Sequence, residues 1–198
     1  MVLTDDALQT YLPYYLTAEA KAGIVKELKN FYLGEMQYFI SAFDQEMLQG
    51  DGWTRFALRN FASGEQIFIN GVVLSNTCDV DPENKRDLPV NIGFAPLVPV
   101  EAYINLLVQA GIPRPRIDDK IAAMKRQEVT NVFYVPAGNG LKSEHLVLLG
   151  DIHSMPATSY EHDATKRKIF TLSQAGFYLF ILKLSMHFCR FHENVLRG

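Results

Sequence analysis

The sequence predicts a mixed α+β chain: a small β domain with helices ahead of it, a helical insertion within it and a long helix at its end. Three observations predict this. Short apolar runs at 53–58, 66–74, 90–97, 129–135 and 145–149 are separated by turn residues, as in a sheet of short strands. Between the third and fourth runs, 100–110 and 117–127 have helical composition, split by Gly111-Ile112-Pro113-Arg114-Pro115. Near the end, Phe177, Phe180, Ile181, Leu184, Phe188 and Phe191 recur at helical spacing.

In chain order, Thr4-Asp5-Asp6 supplies a helix cap, and Thr17-Ala18-Glu19-Ala20 a second start signal ahead of Ile24, Leu28 and Phe31. Residues 1–45 therefore read as an N-terminal helical region, although the aromatic stretch 32–43 suits a helix and a buried strand equally. From Gly50-Asp51-Gly52 the pattern switches to strands, with Ser63-Gly64, Asp81-Pro82, Gly138-Asn139-Gly140 and Met155-Pro156 as turns. The insertion occupies about 100–127, and Ser173 caps a last helix expected over 173–196. Neither an internal repeat nor a low-complexity linker divides the chain, so 46–198 reads as one compact unit.

The 198 residues are 48% hydrophobic and 12% aromatic, enough to bury a sizeable core and to argue against disorder. With 19 basic and 22 acidic residues the net charge is -3, so the footprint of a general nucleic-acid binder is missing. Cys78 and Cys189 are too few for a disulfide scaffold, and the N-terminus lacks the pattern of a secretory signal, so the expected location is cytoplasmic. The apolar segment 177–184 is interrupted by Lys183 and followed by His187, Arg190, His192 and Glu193, so no membrane span is expected.

The leading site candidate is Gly71-Val72-Val73-Leu74-Ser75-Asn76-Thr77-Cys78-Asp79-Val80, an apolar β run that ends in hydroxyl, amide, thiol and carboxylate groups. A stiff buried strand holds side chains just beyond its end in defined positions, as binding or catalysis requires. Cys78 is a candidate nucleophile if a base deprotonates it, because the thiolate is the attacking species. Asp79 alone opposes that ionisation through like charge, so the base has to come from elsewhere. Gly150-Asp151-Ile152-His153 offers His153, with Asp151 on the same face of an alternating strand. Ser75, Asn76, Thr77 and Asp151 are the candidate substrate-binding groups. The competing structural reading is that residues 75–79 make local side-chain to backbone turns while Cys78 fills a small apolar space.

Gly50-Asp51-Gly52-Trp53, Gly71-Val72-Val73-Leu74-Ser75 and Ile92-Gly93-Phe94-Ala95-Pro96-Leu97, in that order, resemble the PemK/MazF-like toxins. Gly140-Leu141-Lys142-Ser143 and Leu148-Leu149-Gly150-Asp151-Ile152 are similar to that family's later turn and strand, so the likeness covers about 47–160. Ser75-x-x-Cys78-Asp79 resembles a divergent group of uncharacterised bacterial proteins. The resemblance implies an SH3-like barrel with a C-terminal helix, a homodimer, and metal-free cleavage of single-stranded RNA. Where the family carries a basic residue before its Val-Leu-Ser strand, this chain has Ile69-Asn70.

Two further clusters are weighed against plainer readings. Cys189 and His192 share a helix face at i, i+3, but His187 lies off it and no CxxC or HExxH completes a set, so neither a metal nor another cofactor is expected. Lys166-Arg167-Lys168, with Arg114 and Arg116, suits either a phosphate-contacting rim or a solvated turn. Gly138-Asn139-Gly140 lacks a Walker lysine and reads as a tight turn. Three functions follow: an RNA-directed PemK/MazF-like protein of a bacterial or phage toxin-antitoxin or conflict setting; a non-catalytic module docking a protein partner; and a thiol hydrolase using Cys78 and His153.

Overall fold

A computed structural model of the protein describes residues 36–188 except 61, 85 and 86, together with residues 19, 22, 23, 26 and 31. The N-terminal helix caps, Cys189 and His192 lie outside the described residues, as does the expected extension of the last helix to 196. Within them the fold is mixed α+β, an antiparallel curled sheet forming a half-barrel, with five helices.

The strands are β1 (Phe39–Ile40), β2 (Gly52–Arg59), β3 (Gln66–Val73), β4 (Asn91–Pro99), β5 (Val132–Val135), β6 (His145–Leu148), β7 (His153–Pro156) and β8 (Lys168–Leu172). The helices are α1 (Thr77–Val80), α2 (Val100–Gln109), α3 (Arg114–Lys125), α4 (Ala157–Glu161) and α5 (Gln174–Phe188). Strand order is β1-β8-β2-β3-β4-β6-β5, and the first half of β4 also pairs with β7. The ambiguous stretch at 32–43 resolves at its end into β1, which is bonded to β8.

Curling starts in β2. Between Trp53 and Phe56 its register with β3 slips, and Arg55 in the bulge takes a left-handed φ of 72°, which bends the strand. Gly71 of β3 faces this bend closely enough that a Cβ would sit 2.7 Å from the Phe56 ring, so only glycine fits. The Ala57 N–H then reaches the Met155 sulfur at 3.5 Å, and the Tyr160 hydroxyl donates to the Thr54 carbonyl at 2.8 Å, drawing β7 and α4 against β2. Phe94, Phe56 and Tyr160 stack inside the curl with centroids 4.4 and 4.8 Å apart.

Alternation along β4 divides the cores. Ala95 and Leu97 join Phe170, Leu172, Leu179 and Phe180 under α5. Ile92 and Phe94 point the other way, into the cluster with Trp53, Val80 and Met155. At the far end, Ile117, Ile121 and Met124, one helical stripe of α3, cover Val132 and Leu146. The α5 helix starts where the Ser173 hydroxyl accepts the Gly176 N–H at 3.0 Å.

The structure corrects the reading of three segments. Met155-Pro156, expected as a turn, ends β7, because Met155 sits opposite Ile92 and supplies apolar packing while its strand neighbours face outward. Ala157–Glu161, given no element from sequence, is α4. Lys168, grouped with a solvated or phosphate-facing charge run, is the first residue of β8 and largely buried.

Candidate functional site

The site is organised around the start of β2. Gly50, with φ of 90°, turns the chain so that its N–H bonds the Val73 carbonyl at 2.9 Å and the Asp51 carbonyl accepts from Val73 N–H at 3.0 Å. This places the Asp51 side chain inside, 1% exposed. Its Oδ2 accepts the Leu48 N–H at 3.0 Å and lies 2.7 Å from the Lys168 ammonium. Burial pushes the Asp51 carboxyl above its ordinary value, against the downward pull of Lys168 and the Leu48 N–H. The ammonium also sits 5.2 Å from the Trp53 ring centre and donates to Thr171 Oγ1 at 3.1 Å. Asp51 and Lys168 thereby tie three strands together behind Trp53.

Two clefts open on either side of Trp53. The first, about 460 Å³, is lined by Ser41, Asp44, Asn139, Arg167, Lys168 and Thr171 among others. The second, about 640 Å³, has an apolar floor of Met47, Leu48, Val80, Ile92 and Tyr160 and a rim of Glu46, Asp81, Glu83 and Glu161. Gln45, Trp53 and Lys166 line both, so the two adjoin along these side chains as a trough in two parts, one carrying Arg167 and Lys168 and the other rimmed by carboxylates. Trp53 is 5% exposed, and its buried indole N–H has no hydrogen-bond partner among the described residues.

The three cations of the basic run have separate tasks. Lys166 Nζ donates to the carbonyls of Tyr160 at 3.1 Å and Glu161 at 2.6 Å, holding the C-terminal end of α4. Lys168 is committed to Asp51. Arg167 pairs through its backbone with Thr54, and its exposed guanidinium has no polar partner among the described residues. Arg114, weighed from sequence as part of a phosphate-contacting rim with this run, is bound to Asp118 on α3 at 2.9 Å and lines neither cleft, nor does Arg116.

The residues singled out from sequence sit mostly outside the trough. Ser75 Oγ accepts the Gly93 N–H at 2.8 Å, and Asn76 Oδ1 caps α1 by accepting the Cys78 N–H at 3.0 Å. Thr77 Oγ1 accepts the Gln49 N–H at 3.0 Å, and Thr77 alone of the group lines the second cleft. Cys78 and Asp79 are exposed on the single turn of α1 rather than on a strand end, because Asn76 starts a helix as soon as β3 stops. His153 lies in β7, on the far side of β4 from the strand leading to Cys78. Two strand spacings, roughly 10 Å, separate Val73 from His153. His153 Nε2 is 2.9 Å from Asp151 Oδ1 without hydrogen-bond alignment, and its ring packs 5.8 Å from Phe94. Asp151, His153, Cys78 and Asp79 line neither cleft.

What sequence reasoning missed is Asp51, Trp53 and Arg167 as one assembly. The available signal was Gly50-Asp51-Gly52-Trp53, a carboxylate between glycines at the mouth of a buried strand. Among the described residues, no group of three or more His, Cys, Asp or Glu is placed to hold a metal ion, and no helix is long and apolar enough to cross a membrane. Comparison with known proteins finds no matching family model and no matching curated sequence.

Proposed function

We propose that this protein is an RNA-directed member of the PemK/MazF-like kind, built on an SH3-like barrel, that holds a short single-stranded segment in the trough across Trp53. What supports the reading is one observation: Gln45, Trp53 and Lys166 belong to both clefts, so the two adjoin and a single chain passing over these side chains would enter both. Phosphates fit the end with Arg167, whose guanidinium is uncommitted, and an unstacked base fits the apolar end. A toxin-antitoxin or conflict setting and a homodimer belong to the same reading.

The trough favours binding as the primary property. Among the described residues no histidine lines either cleft, so ribose-hydroxyl chemistry by those residues would use a carboxylate such as Asp44 or Glu46 as base. Such cleavage survives EDTA. The test is fluorescence anisotropy of end-labelled single-stranded RNA titrated with the full chain in EDTA, with a product assay alongside. Saturable binding supports the reading, and absence of binding at micromolar protein and low salt defeats it.

A second reading has its own observation. Ile67 and Phe68 lie in the part of β3 that pairs with β2 but not with β4, and they are 50% and 46% exposed on opposite faces, so Ile67 offers an apolar contact to a protein partner. It predicts that Ile67→Ser abolishes capture of that partner while RNA binding persists.

A further inference from the structure

We infer that the acid-rimmed cleft is a base-reading subsite that selects guanine, an inference resting on the RNA reading of the trough. Its polar groups decide the choice. Carboxylates at neutral pH only accept hydrogen bonds, and the rim carries four of them, Glu46, Asp81, Glu83 and Glu161. A base entering here has to offer donors. Uracil presents one N–H flanked by two carbonyl acceptors, which face carboxylates unfavourably. Adenine and cytosine present an amino group beside a ring acceptor. Guanine alone presents two adjacent donors, N1–H and the N2 amino group, which a single carboxylate accepts side by side.

Guanine also carries an acceptor, O6, next to those donors, and the cleft has a donor in Lys166, whose ammonium sits at the main-chain carbonyl of Glu161. Lys166 Nζ is held by the Tyr160 and Glu161 carbonyls, which leaves the third ammonium hydrogen for a ligand, and both Lys166 and Glu161 line the cleft. Glu161 accepting from N1–H and N2, with Lys166 donating to O6, satisfies the whole Watson–Crick edge. The apolar floor of Met47, Leu48, Ile92 and Tyr160 covers the faces of the ring. A carboxylate accepting two N–H donors in this way makes a charge-assisted bidentate contact, stronger than the single such bond uracil could make.

The experiment uses four labelled RNA heptamers of uridine whose central position is G, A, C or U, titrated against the full chain by anisotropy in EDTA. The G heptamer binds about tenfold more tightly than the all-U heptamer, the discrimination one good bidentate pair supplies. Glu161→Gln, at an exposed position of α4, brings that ratio to about one, whereas Glu101→Gln, in the first turn of α2 and remote from the cleft, leaves it at the wild-type value. Thermal unfolding of Glu161→Gln at the wild-type temperature keeps loss of fold from imitating loss of selectivity. Equal affinities for all four heptamers, with binding intact, overturn the guanine subsite and leave the RNA reading standing. If none of the four binds, the RNA reading itself falls.

Discussion

The Lys168 ammonium lies 2.7 Å from the Asp51 carboxylate, and both side chains are withdrawn from water, 10% and 1% exposed, behind Trp53. Because Lys168 heads β8 and Asp51 precedes β2, this pair fixes the strand junction on which both clefts are built. Lys168→Met leaves the Asp51 charge buried alone, and the expected cost is about 3–5 kcal/mol by urea denaturation at pH 7. Asp51→Asn combined with Lys168→Met loses less than the sum of the two single changes, since neither charge is then orphaned. Additive losses would show that the two groups act separately.

Arg167→Ala tests the phosphate end. Its guanidinium has no polar partner among the described residues, so unfolding is unchanged while RNA affinity drops. The slope of log affinity against log salt becomes shallower by about 0.7, the contribution of one single-strand phosphate. An unchanged slope would take Arg167 out of the interface.

Lys183 sets a pH dependence. It is 2% exposed on α5, donates to the carbonyls of Gln127 at 2.7 Å and Val129 at 2.6 Å, and desolvation lowers its pKa from 10.5 to about 8. Between those values the unfolded chain binds more protons than the folded one, so stability rises as pH climbs from about 8. Above about pH 10 the trend reverses, because burial raises the pKa of Tyr38, Tyr134 and Tyr160, and these ionise first in the unfolded chain. Denaturation midpoints should therefore climb between pH 8 and 10 in the wild type and stay flat in Lys183→Met. The same climb in both would remove Lys183 as its source.

Cys78 provides the contrast with a thiol mechanism. It is exposed on α1 and lines neither cleft, so Cys78→Ala and Cys78→Ser both retain wild-type RNA binding, and iodoacetamide treatment leaves binding intact. Retained function in the cell for both variants removes the nucleophile. Loss in Cys78→Ala with alkylation-sensitive turnover would restore the Cys78 and His153 hydrolase.

The apolar strands were legible because their burial is written in composition: Val72 and Val73, Phe94 and Ala95, and Leu146 and Val147 are all buried within short runs. The stripe Ile117, Ile121 and Met124 was legible for the same reason, through helical spacing. β7 was legible only in part: the sequence reading ran a strand through Asp151 to His153, whereas Asp151 lies in a bend and the strand starts at His153 and continues through Ser154 and Pro156, where pairing with β4 supplies what propensity lacks. The site was misplaced for a related reason. Asn76-Thr77-Cys78-Asp79 spells a helix start, with Asn76 as cap and an acid in the first turn, and the Asn76 and Thr77 side chains accept backbone N–H groups rather than facing a ligand. The run Lys166-Arg167-Lys168 hid three environments, because Lys166 closes the turn after α4, Arg167 is exposed ahead of the strand and Lys168 opens β8 against Asp51.

Trp53 is the chain's only tryptophan and stands between the two clefts, so its fluorescence reports directly on the trough. Titrating the full chain with a single-stranded RNA heptamer in EDTA should change Trp53 emission saturably, with the same dissociation constant that anisotropy gives for the labelled RNA. RNA binding seen by anisotropy with Trp53 emission unaltered at saturation would contradict the account.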